Sequence, residues 1–365
     1  MHFKTLRKDD MMTRTAVVFS PEYYKHETGR NHPETAKRLR AILNELTQGQ
    51  LSKSKNWRFV EPYEAAIEEV RLVHDIKYIN YVRALCRSGG GLLDSGDTVV
   101  SSDSYKTALY AVGGALTAVN LVMKHEFTNS FALVRPPGHH ATKFYGLGFC
   151  IFNNVAVAAR HLLQGFKLKR VLVLDIDSHH GNGTQEVFYK TDKVLYISLH
   201  ENPRDFPGTG FVKEVGEDKG KGYTVNIPLP FKTADDVYLK AWKEIVEPIS
   251  RQYKPQFVLV SAGLDCHYAD PIGRLSLSTL CYDKIFHSIV KIASETCNER
   301  LGMILEGGYN LEHIGKIAVA AIAKMSGSKH QINAEFQTKK NNARSRGEML
   351  VRNVKRVQKA YWSLE

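Results

Sequence analysis

Six short apolar runs, most of them separated by stretches with helical spacing, predict an α/β fold in which helices cover both faces of a mainly parallel sheet. Four polar clusters agree with this, because each directly follows an apolar run, and open parallel sheets build their sites beyond the carboxyl ends of strands. The runs are 15–19, 131–134, 171–174, 194–199, 257–261 and 303–305, all free of charge, as strands buried on both faces must be. The helical patterns are 33–46, 104–122, 153–163, 235–252, 279–296 and 311–324. No internal repeat, low-complexity block or linker interrupts them. Residues 14–327 therefore read as one domain, preceded by an extension, 1–13, in which Met11 and Met12 offer alternative starts, and followed by a basic, partly helical tail, 328–365.

The chain has 365 residues, 43% of them hydrophobic, enough for a sizeable core. Cys86, Cys150, Cys266, Cys281 and Cys297 are scattered and lack CxxC spacing, which argues against a disulfide framework or a thiolate zinc site. A reducing, cytoplasmic setting is expected. The opening residues lack the apolar run of a signal peptide, and no stretch reads as the roughly 20 apolar residues of a membrane span, so no membrane partner is expected. The net charge of +12 owes much to the tail, which reads as a solvated basic helix, a flexible arm or a contact between copies in a homo-oligomer. Nucleic acid is the partner that charge alone raises.

The densest chemistry lies in 174–183, LDIDSHHGNG, where an apolar strand ends in two carboxylates and two imidazoles. Alternation along an extended chain puts Asp175, Asp177 and His179 on one side. Burying such carboxylates unpaired costs several kcal/mol, whereas a divalent cation would neutralise them. A catalytic zinc site needs three protein ligands and one open position. Asp177 and His179 supply two. Asp265, closing the strand in FVLVSAGLD, is the natural third, with His267 and Asp270 as rivals. An Asp-His-Asp set is hard and anionic, so Fe2+, Co2+ or Mn2+ would also suit it.

In RPPGHHA, a rigid turn presents His139 and His140 side by side. A positioned imidazole can take a proton from an attacking water and return it to a departing amine. Asp175 and Asn182 offer orienting partners, and the histidine beside Asn182 would be the more readily neutral base. In LEGGYN, two glycines let the backbone swing Tyr309 over a strand end, where its hydroxyl could act as an oxyanion donor.

Taken in order, RPPGHHA, GFCIFNN, DIDSHHGNG, YISLHE, FPGTG, GYTVNIPLP, SAGLDCHYADPIG and EGGYNL resemble the zinc-dependent histone deacetylase superfamily, which includes acetylpolyamine amidohydrolases and acetoin-utilisation proteins. The resemblance runs from Tyr24 to about Gly327. It implies the arginase-like three-layer α/β/α fold with a central, mainly parallel eight-stranded sheet. It implies Zn2+ on Asp177, His179 and Asp265, Tyr309 as the carbonyl-polarising group, His140 with Asn182 as general base and acid, and His139 with Asp175 as electrostatic helper. Gly148, Phe149, Phe206, Ile272 and Gly307 would line a narrow substrate channel. Structural K+ would sit at Asp175, Asp177, His179, Ser198 and Leu199, and a second at Phe188, Thr191, Val194 and Tyr223. Asn182 and the Glu306-Gly-Gly run are similar to the class II branch, and Tyr309, where some of its weakly active members have His, argues for a working hydrolase. Ser178 and Cys266 are mild departures from the pattern.

The resemblance implies hydrolysis of an acetyl amide, N-acetyl-lysine in a protein or peptide, by metal-activated water. A small-amine substrate such as an acetylpolyamine is the alternative; Ile272, where polyamine-selective relatives carry an acid, weighs against it, while Asp97 or Asp103 could supply a rim acid. A non-catalytic acyl-lysine binder is the rival of another class.

Overall fold

The computed structural model describes residues 14–332 and 343–365. The extension 1–13 lies outside the described residues, as does 333–342 within the tail. Its elements are β1 (Thr15–Val18), α1 (Lys37–Gln48), β2 (Trp57–Val60), α2 (Ile67–Val70), α3 (Ile76–Arg87), β3 (Gly90–Leu92), β4 (Val99–Ser101), α4 (Ser104–Met123), β5 (Asn129–Ala132), α5 (Asn154–Gln164) and β6 (Val171–Asp175). There follow α6 (Asn182–Phe188), β7 (Val194–Glu201), β8 (Thr224–Leu229), α7 (Asp235–Ala241), α8 (Glu247–Tyr253), β9 (Phe257–Ala262), α9 (Thr279–Cys297), β10 (Leu301–Leu305), α10 (Ile314–Ser326) and α11 (Ala343–Gln358).

Eight strands form one sheet in the order β2-β1-β5-β10-β9-β6-β7-β8, and every neighbouring pair is parallel. Helices α4, α5 and α6 pack together on one side, and α1, α10, α9, α8 and α7 form a second connected layer. This is the arginase-like α/β/α fold. β3 and β4 make a separate antiparallel pair. The four central strands β5, β10, β9 and β6 are buried throughout, which is why β6, β9 and β10 read as largely apolar runs, whereas β5 opens on Asn129 and Ser130.

All six expected strands exist, with 131–134 displaced to Asn129–Ala132. The two others are the sheet edges. β2 is half exposed and carries Arg58, and β8 contains Pro228, a residue that only an edge tolerates. The helical pattern 235–252 is one run in which a π-turn at 242–246 joins α7 to α8. Asn153 caps α5 by accepting the Ala156 amide, and Ser278 caps α9 by accepting that of Cys281.

Two readings from sequence change. α4 is long and apolar enough to cross a bilayer, yet 78% of that stretch is buried inside the protein; it is the core helix of its layer. The tail segment expected to be solvated buries one side: Ala343, Gly347, Val351, Val354 and Gln358 recur at helical spacing on α11, which packs against β8 and α7. Trp362 Nε1 then donates to the Gly222 carbonyl at 2.8 Å, so the chain end covers an exposed sheet edge. All five cysteines are free and buried.

Candidate active site

The four polar clusters follow β5, β6, β9 and β10, four adjacent strands at the centre of the sheet. Parallel pairing therefore brings all of them to one rim. β6 stops at Asp175, so strand alternation is not what gathers Asp177 and His179. A tight turn does so, in which Asp177 Oδ1 accepts the His179 amide at 2.9 Å.

One donor atom each from Asp177, His179 and Asp265 lie within 4.8 Å of one another. His179 Nδ1 stands 3.2 Å from an oxygen of each carboxylate, and both carboxylates are buried. Asp177 Oδ2 accepts the Gly307 amide at 2.8 Å, and Asp265 Oδ1 accepts the Ser178 amide at 2.8 Å. Asp265 Oδ2 is buried and accepts no hydrogen bond of good geometry; it meets only His179 Nδ1, 3.2 Å away. Burial and the neighbouring Asp177 push Asp265 up to about 7. Burial acts the same way on Asp177, but His139 and His179 outweigh it and hold that carboxyl below its usual range. Two imidazoles, His139 and His179, are too little positive charge for the three buried carboxylates Asp175, Asp177 and Asp265, and a divalent cation would supply the rest. Gly307 lies beneath this cluster. A Cβ there would stand 2.6 Å from an oxygen of both Asp177 and Asp265.

The rivals for the third ligand do other work. His267 packs against the rings of Tyr268 and His313, each 4.4 Å away. Asp270 accepts four backbone N–H groups: those of Ile272 and Gly273 on one oxygen, and those of Tyr309 and Asn310 on the other. It thereby fixes the loop that carries Tyr309.

The two adjacent histidines occupy different surroundings. His139 Nδ1 lies 3.1 Å from Asp175 Oδ2, which also accepts the Tyr196 hydroxyl at 2.9 Å. Burial disfavours the His139 cation, but Asp175 and Asp177 overcome it and raise its pKa to about 10. His140 Nδ1 lies 2.8 Å from Asn182 Oδ1. The Asn182 amide nitrogen donates to the His140 carbonyl, so its oxygen must face the ring, and Nδ1 must carry the proton. Burial and the two neighbouring imidazoles hold His140 well below the usual histidine range. It is a neutral imidazole with a free lone pair on Nε2.

Tyr309 lies against Phe149 and under the Arg38 guanidinium, 4.9 Å from its ring centre. Burial raises its hydroxyl pKa far above the ordinary value, so the group keeps its proton. His140, Gly148, Phe149, His179, Phe206, Ile272 and Tyr309 line a cavity of about 350 Å³, with Asp97, Glu201 and Arg274 among them. Gly148 and Phe149 both have positive φ, 53° and 70°. A Cβ on Gly148 would stand 2.6 Å from the His140 ring and 2.8 Å from Phe206, so only glycine leaves the wall open here. Asp103 instead heads α4 and is not part of this wall.

Three positioning groups were not read as such from sequence, where Glu306 figured only in the Glu306-Gly-Gly run. Glu306, buried, accepts the amides of Gly138 and His139 and the Ser261 hydroxyl, tying the histidine turn to β9 and β10. Arg38 donates to the carbonyls of Gly308, at 2.6 Å, and Glu306. Glu34 pairs with Arg38 at 3.0 Å and with Arg135 at 2.8 Å. Only the i,i+4 spacing of Glu34 and Arg38 hints at this in the sequence. As for the expected potassium donors, Ser198 is the register partner of Asp175 across β6 and β7. The carbonyls of Phe188 and Tyr223 each accept one amide, from Thr191 and Tyr196.

The histone deacetylase domain family model matches residues 32–325. The chain is 40% identical over 358 residues to a probable deacetylase of Archaeoglobus fulgidus, covering 95% of this chain and 98% of that protein. It is 37% identical over 298 residues to the chloroplastic histone deacetylase 14 of Arabidopsis thaliana, covering 78% and 70%. With the histone deacetylase-like amidohydrolase of Pseudomonas aeruginosa it shares 35% identity over 295 residues, covering 81% and 76%. Among solved structures, the HD domain of HDA15 superposes with a TM-score of 0.86 at 33% identity, covering 96% of both chains.

Proposed function

The chain belongs to the histone deacetylase family and is an amidohydrolase of acetyl amides, and on that premise we propose that it deacetylates N-acetyl-lysine in a protein or peptide, with zinc held by Asp177, His179 and Asp265. The observation that carries this reading is the buried three-donor cluster, with an Asp265 oxygen that meets only the His179 ring, next to an aromatic-walled cavity. The family is generally zinc-dependent, and zinc in such a site polarises a carbonyl and lowers the pKa of water.

Phe149 and Phe206 hold the aliphatic stem of the acetylated side chain and exclude water along it. Tyr309 donates its hydroxyl proton as a hydrogen bond to the acetyl oxygen and stabilises the charge that develops there. Nε2 of His140, neutral because Nδ1 already donates to Asn182, takes the proton of the attacking water and passes it to the departing amine. His139, cationic against Asp175, adds positive charge beside the reacting centre. Asp175, Asp177, His179, Ser198 and Leu199, and separately Phe188, Thr191, Val194 and Tyr223, are the proposed potassium donors; hard oxygen ligands suit that ion.

Acetate release from an acetyl-lysine peptide, measured beside acetylputrescine and acetylspermidine on the zinc-reconstituted protein, tests the reading. Preference for the peptide is expected, because Ile272 offers no acid to a second ammonium. Faster turnover of either polyamine would move the assignment to a small-amine hydrolase using Asp97. Binding of the peptide without acetate release would overturn the enzymatic role.

A further inference from the structure

Away from the deacetylase site, Arg71, His74, Asp75, Lys143 and Arg160 line a cavity of about 330 Å³. It opens between the turn that follows α2, the loop after His140, and α5. Among the described residues, no carboxylate pairs with Arg71, Lys143 or Arg160. Arg160 is the most telling. One guanidinium nitrogen donates to the Val187 carbonyl at 3.0 Å and the group lies over the Phe188 ring, but its Nε is buried without a partner. Burial alone moves its pKa, downward, because no anion stands near enough to offset the desolvation. Lys143 makes a cation–π contact with Phe144 and nothing stronger.

His74 adds a donor. Its Nε2 accepts the Asn153 amide at 2.8 Å, so the ring proton sits on Nδ1. That nitrogen has no hydrogen-bond partner of normal geometry, although the Thr142 carbonyl lies near it. The one acid, Asp75, has an oxygen engaged by the Lys77 amide at 2.8 Å. Three cations against one carboxylate leave two net positive charges around the cavity.

We propose that this cavity is an oxyanion site that takes a phosphate group, carried either by inorganic phosphate or by a small phosphorylated metabolite. Two uncompensated charges match the phosphate dianion, and guanidinium groups are suited to its oxygens. A water occupies roughly 30 Å³, so the space exceeds what a bare phosphate fills and leaves room for an organic portion. The occupant would touch the frame of the catalytic turn. Asn153, held by His74, donates through its side chain to the carbonyls of His139 and Ala141, and the Lys143 carbonyl accepts the Asp75 amide.

The test is calorimetric titration of the full chain with inorganic phosphate and with ribose 5-phosphate, at constant ionic strength set with chloride. Saturable one-to-one binding of at least one probe is expected, and the tighter probe identifies the source. Arg160→Gln should weaken it about tenfold, as should Lys143→Gln. Lys143 is exposed, so the second variant keeps the fold if the first does not. Lys53→Gln, a remote surface control, should change nothing. Absence of saturable binding by both probes would overturn the proposal, as would equal weakening in the Lys53 control, which would mark the effect as non-specific charge attraction.

Discussion

Two buried charge clusters stand on the catalytic side of the sheet, and they are built in opposite ways. In one, Glu34 lies between Arg38 and Arg135, and the spare guanidinium N–H groups reach the carbonyls of Tyr23, His26, Glu306 and Gly308. Every charge is answered from within the chain. In the other, Asp177 and Asp265 share the His179 imidazole, and the outer Asp265 oxygen meets nothing but that ring. The desolvation cost is similar in kind, yet only the second cluster is unfinished. Buried charge that the protein closes itself is scaffolding, whereas buried charge left open marks where a ligand completes the electrostatics.

The comparison is broken most severely by Asp265→Asn, which keeps the acceptor for the Ser178 amide but removes a charge. Metal content, read by atomic emission, and acetate release should both fall to background. The metal-free variant should melt no lower than metal-free wild type, because a repulsive carboxylate has gone. Glu34→Gln should do the reverse. It leaves two buried guanidinium groups short of an anion and should cost about 3–5 kcal/mol in denaturant unfolding while the protein still binds metal. Burial alone would raise the Glu34 pKa, but Arg135 and Arg38 outweigh it and hold it down at about 2. Its contribution is therefore complete above the ordinary carboxylate value and is lost as pH falls towards about 2; the variant should lack that acid-dependent part of the stability curve.

Tyr309→Phe should retain metal and fold and lose about 2.7–4 kcal/mol of transition-state stabilisation, seen mainly in kcat. A wild-type rate would remove Tyr309 from the reaction. The smallest effect is expected from Asn182→Asp. A carboxylate beside Nδ1 favours the His140 cation, so the acid limb of the kcat/KM profile should move to higher pH by about one unit or more. In the wild type the neutral base is protonated only well below the ordinary histidine pKa, and activity should fall on that side. An unmoved limb would mean that another group titrates.

Of the central strands that carry the site, β6, β9 and β10 were legible because burial on both faces demands largely apolar sequence, whereas β5, which opens on Asn129 and Ser130, was placed two residues late. The edges β2 and β8 were not legible, since a half-exposed strand with Arg58, or a strand interrupted by Pro228, lacks that signature. Tail residues such as Val351 and Val354 looked like scattered apolar positions in a basic stretch, because the β8 edge that they cover is more than a hundred positions away. Asp270 was read as a rival ligand for the same reason that Asp265 was read as a ligand: both are acids after one strand. The fold distinguishes them by giving Asp270 four amide donors and Asp265 a single amide and the His179 ring.

By itself, then, the sequence determined the layered α/β architecture, the rim on which the site stands and the residue types gathered there, because periodicity and strand-end polarity are local properties of the chain. The resemblance assigned roles to the two histidines; only the tertiary structure decided how burial and neighbours separate their charges, which acid after β9 the loop amides claim, and how Glu34, Arg38 and Glu306 brace the loops. Those outcomes depend on distances between segments remote in sequence, and a few ångströms of separation set both the charge state of a buried group and the partner it meets.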